Sequence, residues 1–361
     1  MHSVVRCALA AALIAPSASA HAAFKDFRDW LAACDNLRNC SAFAVNSESD
    51  DASAFLRIER GGAADAPVIV TLSVELGDAK AYTVAFDDPA LPGLPAGSLA
   101  GEESEGSEYR RIEIAKGQAA NALIESMRKA KAIVVTRQPA KGKKLDSPVS
   151  RISMSGAVAS LLWIDDQQKR IDTVTALARR GPKPVSAVPP QPKAPVIVAA
   201  EPSAGIAPKP SADLIARGRK ACDNDKNAHF EQADRLGANL FLYYVFCSGM
   251  SGAYNMHGVY FIVPADQPKA GRLVNFNGPV RTGNAIADSE SGVIATNSSF
   301  DPKTMTLQTF NKGRGLGDCG SQSDWVFDGR SFQLALERTM TECRRIPMDD
   351  WPVTFRAEVK R

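Results

Sequence analysis

A proline-rich stretch in the middle of the chain sets the strongest limit on how the chain folds. Nine prolines occur in the thirty residues from Gly181 to Pro210. Proline donates no backbone hydrogen bond, so such a stretch supplies neither helix interiors nor central strands. It is typical of an extended polyproline spacer. Two arrangements remain open: the spacer lets the flanking segments move apart, or it lies over the protein surface as a loop.

The stretch divides the chain into two segments of ordinary domain size. We predict a first domain over residues 24–180, a proline-rich linker over residues 181–211 and a second domain over residues 212–361.

The first twenty residues have the composition of a secretory signal. Arg6 precedes an apolar run that ends at Ala15, and small residues then lead to Ala20. We predict a signal peptide over residues 1–20, with cleavage after Ala20 or Ala22. The apolar run is shorter than the roughly 20 residues that a membrane-spanning helix needs, so we predict no transmembrane segment in the mature chain. These features predict an exported protein.

Six cysteines follow the predicted signal, and an even number in an exported chain indicates a disulfide framework. Because they fall as two before the linker and four after it, we predict local pairing. Cysteine ligation of a metal is disfavoured, since the chain has no Cys-x-x-Cys motif and few histidines. We predict no metal site and the disulfides Cys34–Cys40, Cys222–Cys247 and Cys319–Cys343.

The charge of the chain excludes one class of partner. Removal of Arg6 leaves 42 basic residues (43 − 1) against 40 acidic ones, and both signs are spread over both segments. A nucleic-acid-binding protein needs a concentrated basic surface. We therefore predict no nucleic-acid partner.

Apolar runs of strand length dominate residues 24–180. We predict strands near residues 54–59, 67–75, 81–86, 109–114, 132–136 and 151–155. Helical periodicity predicts helices over residues 118–131 and 157–170, with a short third turn over residues 173–180. The segment from Phe27 to Leu31 fits a helix or a strand equally well. The first domain is thus predicted as a β sheet with two or three helices.

Short strands separated by turn residues follow in the second domain, a pattern typical of an antiparallel β sandwich or propeller-like sheet. The predicted fold class is therefore mainly β, of the α+β type, in two β-rich domains. The predicted strands lie near residues 239–247, 258–263, 273–276, 292–296, 304–310, 325–327 and 331–338.

The stretch Gly313–Gly320 contains a Gly-x-Gly-x-x-Gly match that begins at Gly315. A dinucleotide-binding loop requires a helix at the end of this motif, and here a strand-like run follows. We predict that the glycines form turns with positive φ, and we predict no cofactor. The turn is expected to expose Arg314 and Asp318, which either clamp a polar ligand or pair with each other.

Several fragments resemble a proteobacterial family of exported proteins known only as domain of unknown function number eleven seventy-six. The resemblance implies a periplasmic or secreted protein of a Gram-negative bacterium, and it implies no catalytic residue. Arg345 is a departure, because it stands where the family has a glycine, and it argues against a tight turn there. The fragments are Phe27–Trp30, Cys34–Asn36, Cys40, Gly252–Asn255, Asn297–Pro302, Lys312–Gly320, Trp325–Gly329, Cys343–Arg344 and Asp350–Pro352.

Each segment also resembles a second family. The first domain is similar to invasion-associated locus B proteins through its Asp-Trp and Cys start and its Ser-Met-Ser-Gly-Ala stretch. The second domain is distantly similar to periplasmic lysozyme inhibitors through its Phe-Asp-Pro-Lys-Thr turn. Neither resemblance implies a catalytic residue.

No set of nucleophile, acid and base stands out in the sequence, so we predict no catalytic residue and a protein that is not an enzyme. The leading hypothesis is an exported binding module for an envelope protein or glycan. Its predicted binding surface comprises Tyr254, Asn255, Arg314, Asp318 and Trp325.

Two alternatives stay open. One is an inhibitor of a peptidoglycan hydrolase such as lysozyme. The other is a carboxylate-dependent hydrolase that uses Asp318 with Asp324, or Asp349 with Asp350.

Overall fold

A computed structural model of the protein describes most of the chain between residues 23 and 361. Both the predicted signal peptide and its cleavage positions lie outside the described residues. The chain is mainly β and of the α+β type, as predicted, with antiparallel sheets and three α-helices in the part that is described. The described ranges are 23–44, 53–94, 96–99, 108–202, 205, 207–276 and 293–361.

The first half, residues 24–180, contains two antiparallel sheets. Their strands are β1 (Ala23–Phe27), β2 (Trp30–Cys34), β3 (Cys40–Ala44), β4 (Ala54–Arg60), β5 (Val68–Glu75), β6 (Ala79–Phe86), β7 (Gly97–Ser98), β8 (Tyr109–Lys116), β9 (Ala132–Pro139) and β10 (Val149–Ser153), and the helices are α1 (Gln118–Met127) and α2 (Ala157–Gln167). One sheet has the order β1-β2-β3-β4-β5-β8 and the other β10-β9-β6-β7. The predicted strands are confirmed, and Trp30, in the ambiguous segment, begins a strand.

The central strands of the larger sheet are buried on both faces. Even-numbered side chains such as Leu56 and Leu72 pack with α1, α2 and the second sheet in one core. Side chains on the opposite face, such as Phe43 and Phe55, pack against the second half of the chain. A sheet covered on both sides needs nearly continuous apolar strands, which explains the weak alternation in β2 and β3.

Residues 173–180 were predicted as a helical turn, and this prediction is wrong. The segment is a loop that wraps around the buried carboxylate of Asp165. That carboxylate accepts the backbone N–H groups of Leu177 at 2.7 Å and Ala178 at 2.8 Å. A buried carboxylate requires hydrogen-bond donors, and the loop supplies them in place of an intrahelical ladder.

The rest of the chain adds one helix and twelve strands to the described structure. The helix is α3 (Ala212–Ala221), and the strands are β11 (Val196–Val198), β12 (His229–Arg235), β13 (Leu240–Phe246), β14 (His257–Pro264), β15 (Arg272–Leu273), β16 (Ile294–Thr296), β17 (Ser299–Asp301), β18 (Thr306–Lys312), β19 (Gly320–Phe327), β20 (Phe332–Met340), β21 (Val353–Arg356) and β22 (Glu358–Lys360).

Residues 212–361, the second half, form a sandwich of two antiparallel sheets, one of the two predicted arrangements. The first sheet has the order β12-β13-β14-β15 with β16 beside β14, and the second has the order β17-β18-β19-β20-β21. Tyr260 and Ile262 from the first sheet share a core with Leu307, Trp325 and Phe327 from the second.

The sequence reasoning missed helix α3, which packs on the outer face of the first sheet of the sandwich. Its signals are present: the Ser211 hydroxyl accepts the N–H of Leu214 at 3.2 Å, Asp213 lies in the first turn, and Arg219 and Lys220 lie in the last. These are the charges and the cap that favour a helix. The helix starts directly after the predicted linker, and no secondary structure was predicted between residue 212 and the strand near residue 239.

The proline-rich stretch that was predicted as a linker lies over the surface of the protein, which is the second of the two arrangements considered. Arg38 of the first half donates to the carbonyl of Pro190, and Gln191 donates to the side chain of Asn39 at 3.0 Å. Farther along, β11 pairs in parallel with β22 at the end of the chain. The linker thus contacts both halves, while their division into separate domains stays a prediction.

An ion cluster centred on Asp350 joins the two halves. The buried Asp350 carboxylate accepts hydrogen bonds at the same oxygen, Oδ1, from Arg57 at 3.1 Å and from Arg111 at 2.7 Å. The neighbouring Trp351 packs among Leu31 and Phe43 of the first half. A charge pair and an apolar contact therefore hold the second half to the sheet of the first.

A second polar contact lies beside this cluster. The buried carboxylate of Asp35 accepts a hydrogen bond from Arg356 Nε at 2.5 Å. The side-chain oxygen of Asn36 accepts the backbone N–H of Arg356 at 2.9 Å, and the side-chain nitrogen of Asn36 donates to the backbone carbonyl of Arg356 at 3.0 Å. The turn that follows β2 is thus bonded to the end of β21.

Three disulfides are present, with the pairing predicted from the sequence: Cys34–Cys40, Cys222–Cys247 and Cys319–Cys343. Each closes a short loop within one half. The described helices include none with the length and apolar character required to cross a membrane.

We expect Asp350→Ala to lower the free energy of unfolding by about 2–4 kcal/mol, because it leaves two arginines without their shared partner at a buried junction. Urea denaturation measures this change. Asp349→Ala removes an exposed neighbouring carboxylate and is the matched control, with an expected change within about 0.5 kcal/mol. Equal effects of the two substitutions would contradict the role assigned to the cluster.

Candidate functional site

The glycine-rich stretch Gly313–Gly320 forms the loop of a hairpin between β18 and β19. Backbone hydrogen bonds close it: the N–H of Gly313 donates to the carbonyl of Cys319 at 2.8 Å, and the N–H of Gly317 donates to that of Arg314 at 2.9 Å. The adjoining disulfide ties the loop to Cys343. The loop is therefore ordered by its own backbone and by a covalent bond.

Two glycines in this loop have the predicted positive φ, 68° at Gly317 and 133° at Gly320. A Cβ atom at Gly320 would stand 2.0 Å from the carbonyl oxygen of Asn311, so only glycine fits that position. Strand β19 begins at Gly320. The Gly-x-Gly-x-x-Gly match therefore belongs to a hairpin and lacks the helix that a dinucleotide-binding loop presents to phosphate.

Arg314 and Asp318 pair with each other across the loop, which is one of the two predicted outcomes. Arg314 Nε lies 2.7 Å from Asp318 Oδ1, and Arg314 Nη2 lies 2.5 Å from Asp318 Oδ2. The N–H of Arg345 donates to the same Oδ2 at 2.6 Å. The expectation that the turn exposes Asp318 is wrong, because these donors hold its carboxylate in a buried position.

The pKa of Asp318 lies below its ordinary value. Burial alone raises the pKa, but the hydrogen bonds from Arg314 and from the N–H of Arg345, together with the charge of Arg314, outweigh it. Asp318 is therefore ionised at neutral pH and acts as an anchor for the loop.

Arg345 has a left-handed backbone, with φ 57°. The chain bends at this position, and Arg345 takes a backbone conformation that favours glycine although the family glycine is absent. A non-glycine residue in this region carries a steric cost of roughly 1–2 kcal/mol. The bond between its N–H and Asp318 offsets part of that cost.

A second loop, residues 252–256, packs against the glycine-rich loop through Asn255. The side-chain oxygen of Asn255 accepts the N–H of Lys312 at 3.1 Å, and its amide nitrogen donates to the carbonyl of Lys312 at 3.0 Å. Asn255 was predicted as part of a binding surface, but its side-chain amide forms hydrogen bonds that join the two loops.

Asn297 completes this fastening and was missed by the sequence reasoning. Its side-chain nitrogen lies within hydrogen-bond distance of the carbonyls of Tyr254 at 3.0 Å and Phe310 at 2.9 Å, and of Asn255 Oδ1 at 3.0 Å. Its φ of 41° turns the chain toward these partners. Asparagine tolerates this conformation, but its long-range acceptors leave no signal in the sequence.

Large apolar side chains project from the two loops. Tyr254 is 42% exposed, Met256 is 46% exposed, and Leu316 at the tip of the glycine-rich loop is 68% exposed. The loops lie side by side, since a Cβ placed on Gly315 would lie 3.7 Å from the ring of Tyr254. We call Tyr254, Met256 and Leu316 the paired-loop surface.

Trp325 lies in the core of the sandwich, so its predicted place on a binding surface is wrong. Its side chain is 6% exposed, and its ring centroid lies 5.3 Å from that of Phe276. The reason is its position on β19, where inward and outward side chains alternate. Of the predicted surface, Tyr254 is exposed, Arg314 is half-buried in its pair, and the other members are committed to the fold.

Beside Leu316 a cleft of about 440 Å³ lies between the two halves, and we call it the junction cleft. It runs from the glycine-rich loop to Tyr109 on β8, and carboxylates and guanidinium groups both line it. Burial, together with the charges of Glu75 and Glu108, raises the pKa of Tyr109. The cleft offers polar and apolar contacts next to the paired-loop surface.

Of the carboxylates suggested for hydrolysis, Asp318, Asp324 and Asp350 are hydrogen-bonded within the fold, whereas Asp349 is exposed. Asp324 accepts hydrogen bonds from Gln308 and Gln322, and Asp350 accepts them from Arg57 and Arg111. A general acid or base must be able to reach a substrate proton.

A search of the described residues for metal ligands finds one group, Asp318 with Cys319 and Cys343, whose ligand atoms lie within 4.8 Å of one another. The two sulfur atoms are joined in a disulfide, and Asp318 is paired with Arg314. This group therefore offers no thiolate to a metal ion.

The lowered pKa of Asp318 predicts a pH dependence of stability. Because the pKa is lower in the folded state, the ionised group contributes stability above its unfolded pKa of about 3.9, and this contribution is lost as the pH falls through the folded value. We expect Asp318→Asn to lower the urea midpoint most near pH 7 and progressively less below about pH 4. A constant difference across this range would contradict the role of the charge.

The left-handed conformation of Arg345 predicts an order of stability for two variants. Arg345→Gly and Arg345→Ala both remove the side chain, but only glycine relieves the steric cost. We expect the glycine variant to exceed the alanine variant in free energy of unfolding by about 0.5–1 kcal/mol, after the larger unfolded-state entropy of glycine is included. Chemical denaturation of the two proteins tests this order, and an alanine variant of equal or higher stability would contradict it.

Comparisons with known proteins place the chain in a family. The family described as a protein of unknown function, DUF1176, matches residues 24–358. The uncharacterized protein YpfG of Escherichia coli (strain K12) is 28% identical over 335 residues, which cover 90% of this chain and 88% of YpfG. No solved structure matches the chain. Because the family match includes both halves and the linker, this protein belongs to the DUF1176 family of proteins of unknown function.

Proposed function

We propose that this protein is an exported, non-enzymatic binding protein of the cell envelope, and that its partner is an envelope protein or glycan. The observation that carries the proposal is the paired-loop surface, in which Tyr254, Met256 and Leu316 are exposed on two ordered loops. Exposed apolar side chains on ordered loops are a feature of interaction sites.

The order of the two loops favours binding energetically. Asn255 and Asn297 fasten the loops to each other, and the Arg314–Asp318 pair holds the tip. Because a preorganised loop loses little conformational entropy when it meets a partner, more of the contact energy appears as affinity. Aromatic side chains seated in a partner's pocket contribute much of the energy in interfaces of this kind, which makes Tyr254 the principal anchor and Leu316 its apolar neighbour.

The junction cleft supports a partner with polar groups. Glu108, Asp349 and Arg345 line it within reach of the Leu316 loop. Interfaces combine an apolar centre with a polar rim. The apolar tip and the charged cleft together fit a protein or glycan surface better than a purely apolar ligand.

Export is supported by two observations. Residues 1–20 have the composition of a secretory signal, and the six cysteines of the described structure are all paired in disulfides. Disulfides persist in oxidising compartments such as the bacterial periplasm.

We expect the double variant Tyr254→Ser with Leu316→Ser to fold normally and to lose capture of its partner by about tenfold or more, because it removes both anchors. The measurement is capture by the immobilised full chain from native envelope extract and from isolated peptidoglycan, with the bound material quantified against the wild type.

Val198→Ser is the matched control, since Val198 is 64% exposed on β11 and outside both loops. This variant is expected to capture as the wild type does. Capture by the double variant at the wild-type level would reject the paired-loop surface as the site, and an absence of capture by the wild type would reject the binding function for these sources.

Inhibition of a peptidoglycan hydrolase is the second candidate. The observation that favours it is the exposed leucine at the tip of a disulfide-anchored loop, because a loop of this form fits the cleft of another protein. Addition of the same proteins to a lysozyme lysis assay separates the two candidates: an inhibitor slows lysis, and the double variant restores it.

A further inference from the structure

A second cavity, of about 400 Å³, lies between the outer face of the first-half sheet and the end of the chain. β3 and β4 form one wall, and β20, Trp351 and β21 contribute the other. We call it the arginine cleft after Arg57, Arg338 and Arg356, which line it. It contains none of the residues of the paired-loop surface.

Arg338 on β20 is the least compensated charge in this cleft. It is half-buried, and its Nη1 donates to the neutral side chain of Gln322 at 2.8 Å. Within the described ranges it makes no ion pair with a carboxylate. A guanidinium carries five N–H donors, and one neutral acceptor leaves most of this capacity for a ligand.

Arg356 on the neighbouring strand supplies a second guanidinium. Its Nε binds Asp35, and its side chain is 41% exposed. In the ladder between β20 and β21, Arg356 stands opposite Leu336 and Arg338 opposite Val353. The two arginines thus lie close together along adjacent strands and line the same cleft.

Arg57 on β4 approaches from the opposite wall. Its two terminal nitrogens bind Glu59 and Asp350, each within about 3 Å, while its buried Nε has no hydrogen-bond partner among the described residues. Arg60 also lines the cleft, but the alternation of β4 directs its side chain toward the helix-covered face. Arg60 is therefore not assigned to the ligand.

Two carboxylates, Glu59 and Asp349, line the cleft. Glu59 is held by Arg57 at 3.0 Å, and Asp349 is exposed at the rim. Outside the lining, Asp350 pairs with Arg57 and Asp35 pairs with Arg356 Nε. Arg338 is therefore the member of these three arginines that has no carboxylate partner among the described residues, and Arg356 lies beside it on the same wall.

Apolar and neutral groups complete the lining. Ile69 and Val353 are half-buried and border the cleft, and Ser41 adds a hydroxyl from β3. A ligand that combines an oxyanion with a short aliphatic part would satisfy both the arginines and these side chains.

We propose that the arginine cleft is a binding site for a small organic anion, whose carboxylate or phosphate group is held between Arg338 and Arg356 and whose aliphatic part contacts Ile69 and Val353. Guanidinium groups bind such oxyanions through paired, charge-assisted hydrogen bonds. Because residues from both halves line the cleft, an occupied site adds a contact across their junction.

Calorimetric titration of the full chain at low salt tests the proposal, with hexanoate and inorganic phosphate as separate probes. We expect saturable binding of at least one probe, and we expect Arg338→Gln to weaken it by about tenfold or more. Binding of hexanoate alone identifies a carboxylate ligand, and binding of phosphate alone identifies a phosphate ligand.

Arg330→Gln is the matched control, because Arg330 is an exposed arginine outside this cleft, and we expect it to leave binding unchanged. Arg338→Lys keeps the charge without the planar fork, so an intermediate loss is expected, and it replaces Arg338→Gln if that variant unfolds. The proposal is overturned if neither probe binds, or if both Arg338 variants bind as the wild type does. Neither outcome bears on the paired-loop surface, which has separate residues and a separate assay.

Discussion

The oxygen of Asp350 that two arginines share is the contact on which the arrangement of the protein depends. Arg57 and Arg111 reach it from two strands of the first half. The carboxylate is buried, and a buried charge is tolerated where it is paired and hydrogen-bonded. The residues on either side of Asp350 also lie at the junction. Trp351 packs in the apolar cluster with Leu31 and Phe43, and Asp349 lines both the junction cleft and the arginine cleft. The junction cleft and the arginine cleft are therefore two spaces left around one ion cluster.

Much of the fold was predictable because its signals are local. Apolar runs of strand length identified β5, β13 and β14, and a helical stripe identified α1. The cysteine pairs were predictable for the same reason, since partners close in sequence meet with little chain entropy cost. The loop over residues 173–180 was not predictable. Its conformation depends on the buried carboxylate of Asp165, which lies 12 residues before Leu177 and requires backbone N–H donors.

Residues of both loops of the candidate site were predicted as a binding surface, but the contacts that hold the two loops together were not predicted. The adjacency of the two loops depends on Asn255, which bonds Lys312 57 residues away, and on Asn297, which bonds Asn255 42 residues away. Asp318 and Trp325 were both predicted to lie on the surface, and only for Asp318 does the residue type favour exposure on average. Their burial follows from Arg314 and Phe276, partners that only the folded chain brings into contact.

The proline-rich stretch that connects the two halves also forms contacts with both of them. Residues 196–198 pair with the last strand, and residues 190–191 rest against the turn after β2. The halves also touch directly through Asp350, Trp351 and Arg356. The two halves therefore contact each other directly, in addition to being connected by the peptide chain. A protease cut in the exposed prolines would leave a nicked, two-chain protein held together without a covalent bond, since no disulfide crosses from one half to the other in the described structure.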